Sequence, residues 1–203
     1  MPRPLIPERR ERILAAAEAL ILEHGFDAAS VQAIAARVGI AKGAVYREFA
    51  SKDAILDALL RQSLARMTER SHRLLGERPR LSEAYRVGLE VLLDEPLMTA
   101  AFLDDAGVLG SYADTVRDGR YRERLVGAAE WIAALQSEGE LDARVDTAAL
   151  ALALSSTTLG LLTAAKHLGP LSREQLAGAI AAMELLVSGL EPGSHRAGGT
   201  GRR

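Results

Sequence analysis

The sequence has no cysteine, which at once excludes disulfide scaffolds, thiolate zinc sites and cysteine nucleophiles. Enzyme signatures are missing too. There is no Gly-rich phosphate loop, no His-Glu-x-x-His and no strand-turn-helix nucleophile elbow. The four histidines, His24, His72, His167 and His195, are scattered without metal-binding spacing, and the adjacent carboxylates Asp104 and Asp105 would diverge on a helix. These gaps argue against an enzyme, a metal site or a cofactor. The N-terminus is charged at Glu8, Arg9, Arg10, Glu11 and Arg12, where a secretory signal needs an apolar stretch, so the expectation is a cytoplasmic protein. One uncharged run, Ala148 to Ala165, is about long enough to cross a thin bilayer. It is broken by Ser155, Ser156, Thr157, Thr158, Gly160 and Thr163, and reads as a bundle helix rather than a membrane anchor.

What the chain does have is segregated charge. Its 203 residues carry a formal net charge of −2, yet residues 1–80 hold 14 Lys and Arg against 10 Asp and Glu, and the rest hold 11 against 17. A net +4 portion suits a phosphate backbone, whereas a net −6 portion is repelled by one. Lysine is scarce, 3 against 22 arginines, and two of the three, Lys42 and Lys52, fall in the positive portion.

Helical periodicity runs through nearly every segment and sustained strand alternation through none, so the expected fold is all-α with about nine helices. The first follows Pro7, buries Ile13, Ala17, Leu20 and Ile21, and ends at Gly25. The second is capped by Ser30, buries Val31, Ile34, Ala35 and Val38, and stops at Gly39. A short third helix from Lys42 to Phe49 buries Val45 and Phe49, and Ser51 caps a long fourth with Ile55, Leu59, Leu60, Leu64 and Met67 inside. Gly76 to Arg80 reads as a hinge. Further helices are expected from Ser82 to Glu95, Leu97 to Asp104, Arg122 to Gln136, Asp146 to His167, and from a capping box at Ser172 and Gln175 to Leu190, with Gly107 and Gly110 as interruptions. The Gly-rich tail from Gly193 to Arg203 reads as disordered.

Helices two and three, joined by three residues, have the spacing of a helix-turn-helix, whose second helix enters the major groove of double-stranded DNA. With Val45 and Phe49 inside, Lys42, Gly43, Ala44, Tyr46 and Arg47 are left on the outer side. Small residues let the helix backbone approach base edges, Ala44 suits a thymine methyl group, and Lys42 and Arg47 reach phosphate or guanine. Arg3, Arg9 and Arg10 suit either a minor-groove arm or a solvated charge run.

The run Arg12-Ile13-Leu14-Ala15-Ala16-Ala17, then Gly25-Phe26, Ser30-Val31, Ile34-Ala35, Val38 through Tyr46, Phe49 and Ser51-Lys52, resembles the DNA-binding domain of TetR-family regulators over residues 8 to 57. The resemblance implies that Tyr46, Lys52 and Ser30 hold phosphates and that Lys42, Ala44 and Arg47 face bases. It also implies a homodimer whose C-terminal domain binds a small-molecule effector that alters the separation of the two recognition helices. The expected domains are a helix-turn-helix domain over 1–57, a ligand-binding and dimerisation domain over 58–192, and the tail over 193–203. The function implied is a ligand-responsive regulator, a repressor by the family's habit, on a palindromic operator. An activator, and a DNA-binding protein without an effector, stay open as alternatives.

The last two helices are too apolar all round to pack against a single layer of the same chain, and a second subunit is the natural cover, a monomeric core being the alternative. Ala149, Ala153, Thr157 and Leu161 on one, and Ile180, Met183 and Val187 on the other, are the expected dimer faces. By the resemblance, an effector pocket lies between Ser82 and Gln136, lined by Leu89, Leu92, Leu93, Met98, Phe102, Tyr112 and Trp131, with Met67 and His72 approaching from the fourth helix. Plain core packing is the alternative for each. The arginines between Arg117 and Arg124 are interleaved with Asp118 and Glu123 and read as a solvated face.

Overall fold

The computed structural model describes residues 8–103, 105–112 and 120–192, and of 120–124 and 165–167 the backbone alone. Among the described residues there are ten helices and no strand: α1 Arg9–His24, α2 Val31–Val38, α3 Lys42–Glu48, α4 Lys52–Leu74, α5 Leu81–Leu93, α6 Pro96–Phe102, α7 Ala106–Leu109, α8 Arg120–Ser137, α9 Thr147–Leu168 and α10 Arg173–Ser188. The all-α expectation holds. The tenth helix is α7, placed where Gly107 and Gly110 had read as interruptions; the Asp105 carboxylate accepts from the Gly107 amide and so caps this single turn. Pro7, Arg3, Asp104, the side chains of Arg117 to Arg124, that of His167, and His195 with the rest of the Gly193–Arg203 tail lie outside the described residues.

The helices form two compact units that do not follow a single boundary at residue 57. One takes the described residues up to Thr68 together with those from Glu95 to Tyr112. Its core joins Ile13, Ala17 and Ile21 of α1, Ile34 and Ala35 of α2, Val45 and Phe49, and Ile55, Leu56 and Leu59 of α4. Leu97, Leu109 and Tyr112 complete the same cluster, which is why the division falls inside α4 rather than at its start. Each branched side chain fully buried there contributes roughly 1.5–3 kcal/mol. Arg66 on α4 donates to Glu95 at 2.8 Å, to Glu18 at 3.2 Å and to the buried Ser63 hydroxyl at 2.8 Å, tying α4, α1 and the start of α6. Leu64, expected inside, is 54% exposed: it lies on the side of α4 away from Ile55 and Leu59.

The other unit holds Glu69–Asp94 and the described residues from Arg120 onward. Leu81, Ile132, Leu135, Leu141, Ala151, Leu154 and Val187 form its core. Asp146 caps α9 and the Ser172/Gln175 capping box starts α10, as the sequence predicts. The start of α5 is capped from far along the chain: the Ser82 amide donates to the Glu191 carboxylate at 2.9 Å, and Ser82 is itself buried. Tyr85 donates to the Leu154 carbonyl at 3.2 Å and lies 3.1 Å from the Thr158 hydroxyl, fixing α5 to α9.

Candidate nucleic-acid interface

Three local devices set the α2-turn-α3 geometry. The Ser30 hydroxyl accepts from the Ala33 amide at 3.0 Å and caps α2, an interaction worth about 1 kcal/mol. At the other end Gly39 has φ 76° and ψ 33°, its amide donates to the Ala36 carbonyl, and the Ile40 amide donates to the Ala35 carbonyl at 3.0 Å. This is the paired hydrogen-bond pattern of a Schellman stop, and a side chain at Gly39 would be strained by the left-handed backbone alone. Val45 and Phe49 then anchor α3 to the core.

On the outer side of α3, Lys42, Gly43, Tyr46 and Arg47 are exposed. Tyr46 keeps 48% of its surface accessible, and the Lys42 ammonium stands 5.8 Å from its ring centre. Gly43 is informative for what does not surround it. A Cβ there would meet nothing within 4 Å, and its φ lies outside the left-handed region, so no packing or backbone requirement within the described chain explains a residue that weakens a helix. Ala44 corrects the sequence reading. It is only 6% exposed, because positions 44, 45 and 49 share one inward stripe, so it belongs to the domain's interior and not to the outer face.

The surrounding side chains brace this face. Lys52, at the start of α4, donates to the Phe26 carbonyl at 2.8 Å and lies 4.1 Å from the Phe26 ring centre, so its ammonium ties α4 to the loop between α1 and α2. Arg9 and Arg10 are not a flexible arm: both lie on α1 and bond to Glu48. Sequence reasoning missed that role, although arginines at positions 9, 10 and 12 of one helical turn are a visible signal. The loop after α1 is closed from another side by residues 107–112. Ser111 donates from its amide at 3.0 Å and its hydroxyl at 2.6 Å to Asp27, and this pair of hydrogen bonds, the hydroxyl first, holds the Asp27 pKa below its ordinary value.

Residues 13–59 match the family model of bacterial regulatory proteins, tetR family. A solved TetR-family regulator from Pectobacterium atrosepticum is 26% identical, with 91% of this chain and 95% of that one covered at a TM-score of 0.62. The N-terminal stretch 13–59 belongs to the TetR family. The HTH-type transcriptional repressor AcnR of Corynebacterium diphtheriae is 38% identical over 61 residues, 30% of this chain and 32% of that protein. The chain therefore spans about a third of the length of the first curated relatives it matches. The SmeT–triclosan complex shares the fold, with a TM-score of 0.70 at 21% identity over 96% of this chain and 97% of that one.

The structure divides the other expected site residues between its two units. Tyr112 is buried in the core of the first unit, bonded through its hydroxyl to Asp57 and tilted against Phe26 at 5.7 Å. Met67, Met98 and Phe102 also belong to that unit and are half-buried. Leu89, Leu92 and Leu93 lie in the second unit with the first two buried, while His72 is exposed and Trp131 is 39% exposed. Among the expected dimer residues, Ile180 and Val187 are buried within their own chain, because an all-round apolar helix must give one side to its own core. Ala149 and Ala153 are exposed, and Thr157, Leu161 and Met183 are half-buried. Beside them stand Leu152, Leu185 and Leu186, with Leu185 74% and Leu186 69% exposed.

Proposed function

We propose that this chain is a transcription repressor that binds a palindromic operator as a homodimer and changes its grip when a small molecule occupies the second unit. The observation that carries the reading is the α3 face. Lys42, Tyr46 and Arg47 surround a glycine that nothing within the described chain requires. A helix left bare at that point, flanked by cations, is built for close approach of its backbone to a polyanion. Lys42 and Arg47 are assigned to bases and Tyr46, Ser30 and Lys52 to phosphates. Accepting from Ala33 leaves the Ser30 hydroxyl proton able to donate.

A single seven-residue helix reads few base pairs, so the reading needs a dyad. Leu152, Leu185 and Leu186 are the proposed seam, with Ala149 and Ala153 as the small residues allowing close approach. Only 17% of the apolar window Thr147–Ala164 is buried within the protomer, and a second copy is the cover that suits a helix interleaved with hydroxyls and small residues. For the effector, the expected lining residues Leu89 and Leu92 lie buried in the second unit, where a ligand would meet apolar side chains. The bound ligand in the SmeT–triclosan structure is support by analogy for this part.

The test is binding of the full chain to the DNA upstream of its own gene and to an unrelated duplex, over a range of salt. Wild type is expected to prefer the upstream DNA, and Tyr46→Phe to weaken binding to both duplexes by a similar factor. Equal affinity of wild type for the two duplexes would sink the reading.

A further inference from the structure

We infer that Arg9, Arg10 and Arg12 are positioning residues that hold the C-terminal ends of both helix-turn-helix helices and so set the angle at which α3 is presented, without touching DNA themselves. The inference rests on the DNA-binding reading for its consequence, though not for its geometry.

Each arginine meets the end of a helix. Arg12 donates to the carbonyl of Val38, the last residue of α2, at 3.2 Å. Arg10 donates to the carbonyl of Glu48, the last residue of α3, at 3.1 Å, and its guanidinium sits 4.2 Å from the centre of the buried Phe49 ring. Arg9 donates through Nε to the Glu48 carboxylate at 2.8 Å, and Nη2 reaches the same oxygen. Terminal helix carbonyls have no partner within their helix and carry the negative end of its dipole, so guanidinium groups suit them in both hydrogen bonding and charge. The Arg9 and Glu48 side chains are only 21% and 22% exposed, which shields the pair from salt. One turn of α1 thus grips the ends of two helices that also share one core and a three-residue turn. If that grip loosens, α3 keeps its anchors at Val45 and Phe49 but can pivot about them.

Glu48 separates this from a phosphate-contacting arm. It is an anion at the end of the recognition helix, so removing its charge alone should strengthen attraction to any DNA. Positioning predicts the opposite for the operator. Glu48→Gln should weaken operator binding about tenfold, the scale of one lost base contact, while affinity for unrelated DNA stays level or rises. Arg9→Ala should do the same with the salt slope unchanged, whereas losing a phosphate contact lowers that slope by about one. Combining Arg9→Glu with Glu48→Arg should recover operator affinity relative to either single change.

Hydrogen exchange reads the same grip without DNA. Arg9→Ala and Arg10→Ala should speed exchange of the α3 amides and leave α8 to α10 unchanged. Unchanged α3 exchange, equal tightening of both DNAs by Glu48→Gln, or a salt slope reduced by one in Arg9→Ala would each overturn the inference. Wild-type protein that does not discriminate between the DNAs would instead overturn the regulator reading, leaving exchange to decide the positioning role.

Discussion

The ammonium of Lys52 donates to the carbonyl of Phe26 and stands over the ring of the same residue. A lysine assigned to phosphate is therefore also an internal tie. Lys52→Ala is expected to destabilise the DNA-free protein by roughly 1–2 kcal/mol, the scale of a charged hydrogen bond with a cation–π contact. Chemical denaturation without DNA checks this. No change would mean that Lys52 serves DNA alone.

Gly43 gives a prediction of mixed sign. Alanine there meets no neighbour and improves helix propensity, so Gly43→Ala should stabilise the protein by roughly 0.5–1 kcal/mol. The same methyl group should weaken operator binding, because on the proposed reading it stands where the helix backbone approaches the base edges. Paired denaturation and anisotropy measurements decide; a variant that is both more stable and equally tight on DNA would remove the argument from Gly43.

On α10, neighbouring residues should behave differently. Leu185→Glu with Leu186→Glu places charges on a face open in the protomer, and is expected to give a monomer by light scattering that keeps its helical circular dichroism. Val187→Glu buries a charge in the second unit's core and should unfold it. If the double variant remains dimeric, the seam lies elsewhere.

The contact between Asp27 and Ser111 is sensitive to acid. Because the hydrogen bonds from Ser111 depress the Asp27 pKa, their stabilisation is fully present above the ordinary carboxylate pKa and is lost as pH falls through the lower folded value. Ser111→Ala should move the Asp27 titration, followed by NMR, upward toward the ordinary value. An unmoved titration would show that the hydroxyl contributes little.

These tests divide along the same line as the legibility of the sequence. The helix-turn-helix could be read because its determinants are local: Ser30 caps one helix, Gly39 stops it, and Val45 and Phe49 are one turn apart. Ala44 was misplaced because, on a seven-residue helix, the inward stripe is wide enough to take in the residue beside Val45. The place of Tyr112 in the first unit's core was not legible because its partners, Phe26 and Asp57, are 86 and 55 residues away and no periodicity announces them. On α10 most positions are apolar, so composition raised the expectation of a partner but could not tell Val187, turned to its own core, from Leu185 and Leu186, turned away from it. The α7 turn was hidden because two glycines read as breakers while the cap at Asp105 is a single side chain.

The central claim, that two copies of α3 read one operator, is tested most directly by footprinting the full chain on the DNA upstream of its gene. Two symmetric protected half-sites are expected, with centres about 34 Å or a multiple of that apart, both lost in Arg47→Ala. Absence of protection, or protection of a single asymmetric site by a monomer, would contradict it.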